Sequence, residues 1–556
     1  MATFELLALL FAGTALAQNY TNATAANGPT NVINVLQTFP ANTTFKGTPV
    51  ANPTALTTAL DISVEDLWDL FVGPVQAASI NTTVSATPIP SSSLIPPPPL
   101  YYNPFPSGQQ VPASSKNESW SFPSDFWYGV ASAAYQVEGA AKAEGRGPSV
   151  WDVLTHRVTN FIADNSTGDV ADNQYYLYKQ DIALNEEAIA HYNDLIDTCL
   201  QYNVTPMVTL YHWDTPLYIQ NKYGGWLSEN IVNDFVEYSR VAFGRFGDRV
   251  KHWFTVNEHN YFRNTSIPKI QQKFYCGQNV LLAHSEAYRL GKSMMPNSII
   301  TFKNNGGYKI PLTNSSADAE AVQRAWDFNE GWFADPIFLT GDYPASVKEY
   351  LATTNLPPLT EEQKTLINGT ADFFAHDAYT SQFYFAPDDG IAGCVANASN
   401  PLYPTCANTT YTYPSASGGW LIGPAADPGA PWLHKATDWV PAFLNYMYTT
   451  WKKPVAVTEF GFAEPFEEYK TLLPDILFDP IRSSYYRDYM QGVLMAISEG
   501  VPVLGTLAWS IFDNLEWAQG YTAKFGVQYV NLTTQERYYK ASFFEYVGII
   551  QEYLES

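Results

Sequence analysis

KKPVAVTEFGF, residues 452–462, is a short apolar run that closes on Thr458, Glu459 and then Gly461. It reads as a buried strand with a carboxylate at its end. HWFTVNEHN, residues 252–260, repeats the arrangement with Asn257 and Glu258. Working outward, similar runs cover Trp127–Tyr135, Pro206–Leu210, Ile299–Lys303, Phe373–Tyr379 and Val503–Ala508. The stretches between them carry apolar residues at helical spacing, as in Ile189, Tyr192, Ile196 and Leu200. Strands alternating with helices predict a parallel sheet with right-handed crossovers. Polar or aromatic residues fall where several strands end: Gln136, His212, Asn257, Glu258, Glu459 and Trp509. That is the pattern of an α/β fold of the (β/α)8 barrel type, whose site lies at the carboxyl ends of the strands.

Glycosidic bond hydrolysis needs a carboxylic acid to protonate the departing oxygen and an opposed carboxylate to attack or to activate water. Glu258 and Glu459, distant in sequence, could meet across a barrel mouth. A glutamate at a strand end can equally be a helix-cap aid or a surface charge, so the surroundings decide. AWSIFDNLEW, residues 508–517, gathers Trp509, Glu516 and Trp517, and YHWDTP, residues 211–216, sets His212 beside Trp213. Carboxylates, imidazole and amides can bond sugar hydroxyls, and indoles can stack on sugar C–H faces. Any one of these tryptophans could merely fill a core, but the repeated polar–Trp pairs fit that reading less well.

The bulk properties agree with a neutral ligand. The 556-residue chain has a formal charge of -24 and no basic run to follow a phosphate backbone, which argues against nucleic acid. Its 15% aromatic content marks a folding chain rather than a disordered one. Residues 1–17 hold an apolar run from Leu6 to Ala12 and small residues at Ala15 and Ala17. They read as a signal peptide cleaved before Gln18, too short to span a membrane. Sequons at Asn42, Asn81, Asn117, Asn165, Asn264, Asn314, Asn368, Asn397, Asn408 and Asn531 support a secreted, extracellular or cell-wall glycoprotein; Asn203, just before a strand, is the poorest acceptor. Residues 18–118 form a Thr/Ser/Pro-rich arm containing IPPPPL, which must be extended. The arm reads as a glycosylated linker, with one amphipathic patch, Val64 to Val72, able to dock through Trp68 and Phe71 on the domain spanning 119–556. Cys394 and Cys406 are the expected disulfide, Cys199 reads as core, Cys276 has no evident partner, and no Cys/His cluster has zinc-ligand spacing.

FPSDFWYGVASAAYQVEGAAKAEGRGPSVWD (residues 122–152), YHWDTP, VNEHN, VTEFGF, and WSIFDNLEW followed by YTAKFGVQYV together resemble the family 1 glycoside hydrolases, in particular secreted fungal β-glucosidases. The resemblance implies a retaining β-glycosidase without cofactor or metal, hydrolysing neutral β-glucosides or oligosaccharides. It assigns Glu459 as nucleophile, Glu258 as acid/base and Tyr379 as the hydroxyl bonded to the nucleophile. Gln136, His212, Trp213, Asn257, Trp509, Glu516 and Trp517 fall to the sugar site, and a carboxylate at Glu516 would repel a phosphorylated sugar. The alternatives are a catalytically impaired glycan-binding relative or a truncated isoform. Oligomeric state and aglycone preference are not fixed by the sequence.

Three departures from the family pattern stand out. IALNEEAIAHY passes from Leu184 to Asn185 with no strand between them, so the second βα unit is expected to be missing, together with an arginine that the resemblance places beside the nucleophile. Tyr178, Ile182, Ile189, Tyr192 and Ile196 could then form one helix across the join, and either another segment fills the vacant slot or the chain is a shortened version. The loop after Phe262 is short, and His259 replaces a family proline. Phe460 stands where the family has asparagine.

Overall fold

The computed structural model describes residues 2–5, 64–77, 120–158, 160–177, 186–258, 270–354, 356, 358–414 and 419–554. Each predicted strand forms where an apolar run is bounded by turn or polar residues, and all of them pair in parallel. Around the ring the order is Trp127–Ala131, Ala2–Glu5, Pro206–Thr209, His252–Phe254, then Ile299–Thr301 continuing through Phe302 into Lys303–Asn305. Phe374–Asp377, Val455–Phe460 and Val503–Trp509 follow, and the last pairs with the first through Gly505 opposite Trp127. The sheet is therefore a closed eight-position barrel.

The second position takes the first of the two alternatives that the sequence leaves open, another segment in the slot. It is not vacant: Ala2–Glu5 lies along Pro206–Thr209 in a register of Ala2 to Pro206 through Glu5 to Thr209. The strand also meets Trp127–Ala131 at Val130. Unpaired backbone groups on two neighbouring strands are costly, so a segment from elsewhere in the chain satisfies them. These residues belong to the stretch that reads as a signal peptide. The join at Leu184–Asn185, the loop after Phe262 and His259 lie outside the described residues.

Trp127, Met207, Phe254, Phe373, Ala375, Ala456 and Leu507 fill the barrel interior. Outside it, helices such as Glu186–Gln201, Asn230–Phe246, Ile270–Met294 and Pro480–Ser498 bury one face against the strands. In Glu186–Gln201 the buried set Ile189, Tyr192, Ile196 and Cys199 keeps the helical spacing read from the sequence, while Leu200 faces solvent. The first expected strand stops at Ala131, and Ala134–Val137 turns into a short helix instead. Cys394 and Cys406 are bridged, and Cys199 and Cys276 are buried thiols.

The arm is more than a linker over the part described. Val64–Leu67 and Trp68–Val72 form one helical turn after another, and Trp68 is fully buried. Its indole donates to the Arg146 carbonyl at 2.7 Å and packs with Leu67, Phe71, Val72, Ala141, Val153 and Leu217. Arg157 Nε donates to the Phe71 carbonyl at 3.1 Å. The patch thus grips segments that lie just beyond Gln136 and just beyond His212.

Candidate active site

Glu459, near the end of Val455–Phe460, is 2% exposed and makes three hydrogen bonds. Its Oε1 accepts from Lys303 Nζ at 2.9 Å and from Asn257 Nδ2 at 3.3 Å, and its Oε2 accepts from the Tyr379 hydroxyl at 2.8 Å. Gly461 is required just beyond: a Cβ there would sit 2.0 Å from the Trp509 carbonyl oxygen, where two strand ends converge. Tyr379 is itself anchored, its carbonyl accepting from the Tyr485 hydroxyl at 2.7 Å.

Glu258 follows the strand His252–Phe254 and holds a left-handed φ of 44°, a conformation uncommon outside glycine. Two contacts hold that turn. The Asn257 N–H donates to the Tyr211 carbonyl at 2.9 Å, and the Trp213 indole donates to the Glu258 carbonyl at 3.4 Å. One carboxylate oxygen from each of Glu258, Asp377 and Glu459 lies within 4.8 Å of the other two. Inverting enzymes keep their carboxyl groups roughly 6.5–9.5 Å apart, so this spacing is of the retaining kind. Three such carboxylates could also hold a cation, but the Lys303 ammonium already supplies a positive charge at Glu459 and stands 4.0 Å from Asp377.

The charges divide the two glutamates. Burial, then the negative charges of Glu459 and Asp377, push Glu258 well above the usual carboxylate range. Burial would raise Glu459 too, but Lys303, His212 and the hydrogen bonds from Lys303 and Tyr379 outweigh it and hold Glu459 below that range. Asp377 is driven well up by burial and by Glu459. Protons in the cluster are thus favoured on Glu258 and Asp377 and disfavoured on Glu459, which is paired with Lys303.

The remaining predicted residues gather around this pair. The ring of His212 lies 6.3 Å from Trp509 and 5.1 Å from Trp517, and Trp213 lies 4.7 Å from Trp517. Gln136, fully buried, donates to the Leu515 carbonyl at 2.9 Å and so ties the first strand's helix to the loop carrying Glu516. Gln136 Oε1, Asn257 Oδ1 and Glu516 Oε2 are buried with no hydrogen-bond partner among the described residues. Buried polar atoms of that kind call for a ligand rich in hydroxyls. Burial pushes Glu516 up to about 7, so in acid it is a neutral donor and would not repel a phosphorylated sugar; that argument holds only above this pH. Sequence reasoning missed Lys303 and Asp377. Each ends a strand run as Glu258 and Glu459 do, and that position was the available signal.

The sequence model of Glycosyl hydrolase family 1 matches residues 118–188 and 183–553, two pieces that meet where the second βα unit is interrupted. Beta-glucosidase 1B of Phanerodontia chrysosporium is 36% identical over 475 residues, covering 76% of this chain and 84% of that protein. Beta-glucosidase 11 of Oryza sativa subsp. japonica is 35% identical over 477 residues, covering 76% of this chain and 87% of its own length. Among solved structures, beta-glucosidase 2 from the fungus Trichoderma reesei, in complex with Tris, superposes with a TM-score of 0.72 at 30% identity, over 78% of this chain and 100% of that one. A beta-glucosidase from the fungus Humicola insolens, in complex with glucose, gives 0.69 at 30% identity, over 78% and 99% of the two chains. With a barrel, a retaining carboxylate pair and a family match over most of its length, the chain belongs to glycosyl hydrolase family 1.

Proposed function

We propose that this glycoside hydrolase removes terminal β-glucosyl residues from neutral glucosides or oligosaccharides by double displacement. Glu459 is the nucleophile and Glu258 the acid/base. The observation that carries the reading is the Glu258–Glu459 spacing within one 4.8 Å cluster, with burial and neighbouring charge shifting the two carboxyls in opposite directions. In the first step Glu258 gives its proton to the leaving oxygen as Glu459 bonds to the anomeric carbon. Esterified Glu459 no longer carries charge, so Glu258 stays ionised and takes a proton from water, which displaces Glu459. Tyr379 fixes the nucleophile's Oε2, and Asn257 reaches both Glu459 and the space beside it. Gln136, His212, Glu516 and Trp517 bond the sugar hydroxyls, Trp509 and Trp213 supply its apolar walls, and glucose is favoured by the names of the relatives.

The sequons and the apolar leader support secretion as a glycoprotein. Wild type and Glu459→Gln should be assayed side by side on an aryl β-glucoside with the anomer of the product followed by NMR. Turnover giving the β-anomer first, and a loss of at least ~10⁴-fold in the variant, is expected. Equal inactivity of both proteins with sugar still bound would instead identify a glycan-binding relative.

A further inference from the structure

Lys303 is the basic side chain hydrogen-bonded to Glu459, and its setting makes that contact consequential. It is 1% exposed, 2.9 Å from Glu459 Oε1 and 4.0 Å from Asp377 Oδ1, with the Phe254 ring 5.4 Å from its Nζ. A buried ammonium is expensive unless paired, and so is a buried carboxylate; here each satisfies the other. The other titratable groups that bear on Glu459 arrive from several elements: Glu258 after the fourth strand position, Asp377 and Tyr379 at the sixth, His212 at the third and Glu516 after the eighth. Most of these are acids. The strand at the second position, Ala-Thr-Phe-Glu, carries no lysine or arginine in its sequence.

We propose that Lys303 is a positioning residue that acts through Glu459, serving as the fixed counter-ion that keeps a single carboxylate of the Glu258–Asp377–Glu459 cluster ionised at every stage of turnover. In the free enzyme the negative charge is on Glu459. When the glycosidic bond breaks, the proton of Glu258 leaves on the alcohol and the Glu459–carbon bond forms, so the charge passes to Glu258. Water then returns a proton to Glu258 as its hydroxyl replaces Glu459, and the charge goes back. The ammonium remains throughout, balancing the single negative charge that moves within the cluster. This rests on the roles given above to the two glutamates.

The test uses Lys303→Met, of similar length but uncharged, and Lys303→Arg, which keeps the charge. Hydrolysis of an aryl β-glucoside is followed against pH, and binding of a basic piperidine iminosugar is followed by calorimetry. For Lys303→Met we expect kcat/KM to fall ~100-fold or more, as for loss of other preorganised charge partners. The acid limb of its profile should rise by about one pH unit or more. Binding of the cationic iminosugar at neutral pH should nevertheless tighten, because the site has lost a like charge. Lys303→Arg should recover part of the activity and return the acid limb toward wild type. A general loss of structure would weaken both activity and iminosugar binding, and that result overturns the proposal. So does a Lys303→Met enzyme within threefold of wild type with an unmoved acid limb. If wild type itself fails to hydrolyse glucosides, the functional reading fails and the turnover role of Lys303 falls with it; an active wild type beside an unaltered Lys303→Met overturns the counter-ion role alone.

Discussion

Glu459 has to be ionised to attack, and Glu258 has to hold a proton to release the aglycone. The sign of each shift then fixes the pH profile. Activity is lost as pH falls through the depressed value of Glu459 and as it rises through the elevated value of Glu258. A kcat/KM profile should therefore stay high below the ordinary glutamate range of ~4.3 and extend well above it. Glu258→Gln should remove the alkaline limb. It should cost ~10²–10⁴-fold on an alkyl glucoside and much less on a dinitrophenyl glucoside, whose leaving group needs no proton; comparing the two substrates checks the assignment. At this scale the glutamate pair and its aromatic surroundings were legible, because each closes an apolar run beside another polar or indole group. Lys303 and Asp377 were not. A lysine after Ile-Ile-Thr-Phe looks like an exposed strand end until the barrel closes and sets it against a residue 156 positions later.

Elements differ in how far they announced themselves. Strands of Val, Ala and Phe bounded by Pro or Thr were visible to within a few residues, since buried parallel strands have little choice of composition. The amphipathic spacing around Trp68 was visible too, but its docking partner was not, because Arg146 and Leu217 come from separate βα loops. That docking has a measurable consequence. Trp68→Ala removes a fully buried indole and its hydrogen bond to Arg146, a change worth about 3–5 kcal/mol in a packed core. Amide exchange should accelerate in residues 64–77 and in Val150–Arg157, with Pro480–Ser498 unaffected. Because the patch grips the segments following Gln136 and His212, KM should rise more than kcat falls. Unchanged exchange at Val150–Arg157 would show the arm to be loosely attached.

Across the whole molecule, one buried ionic network joins the nucleophile's strand to the sugar-binding loop. Arg482 Nε donates to the Phe462 carbonyl at 2.7 Å, while Nη1 reaches Asp479 at 2.7 Å and Nη2 reaches Glu467 at 2.6 Å. Lys540 links Glu467 at 2.5 Å to Asp513 at 2.7 Å, in the loop that leads to Glu516. Burial alone would raise Glu467, but Lys540 and Arg482 hold it at about 2. Arg482→Met takes the guanidinium from two buried carboxylates, stranding Asp479 and leaving Glu467 to Lys540 alone, and should cost about 3–5 kcal/mol, read as a lower denaturation midpoint in urea. Protonating the stranded acid relieves part of that cost, so the deficit should shrink between pH 7 and pH 4.

Barrel closure depends on Ala2–Glu5, which lends four residues to Pro206–Thr209 and touches Trp127–Ala131 at Val130. Should export trim the chain before Gln18, the same cut that releases the protein would pull a stave from the cask. Pro206–Thr209 would then carry a bare hydrogen-bonding margin beneath His212. Edman sequencing of the purified product, set beside its specific activity, would reveal whether maturation and competence draw on the same few residues.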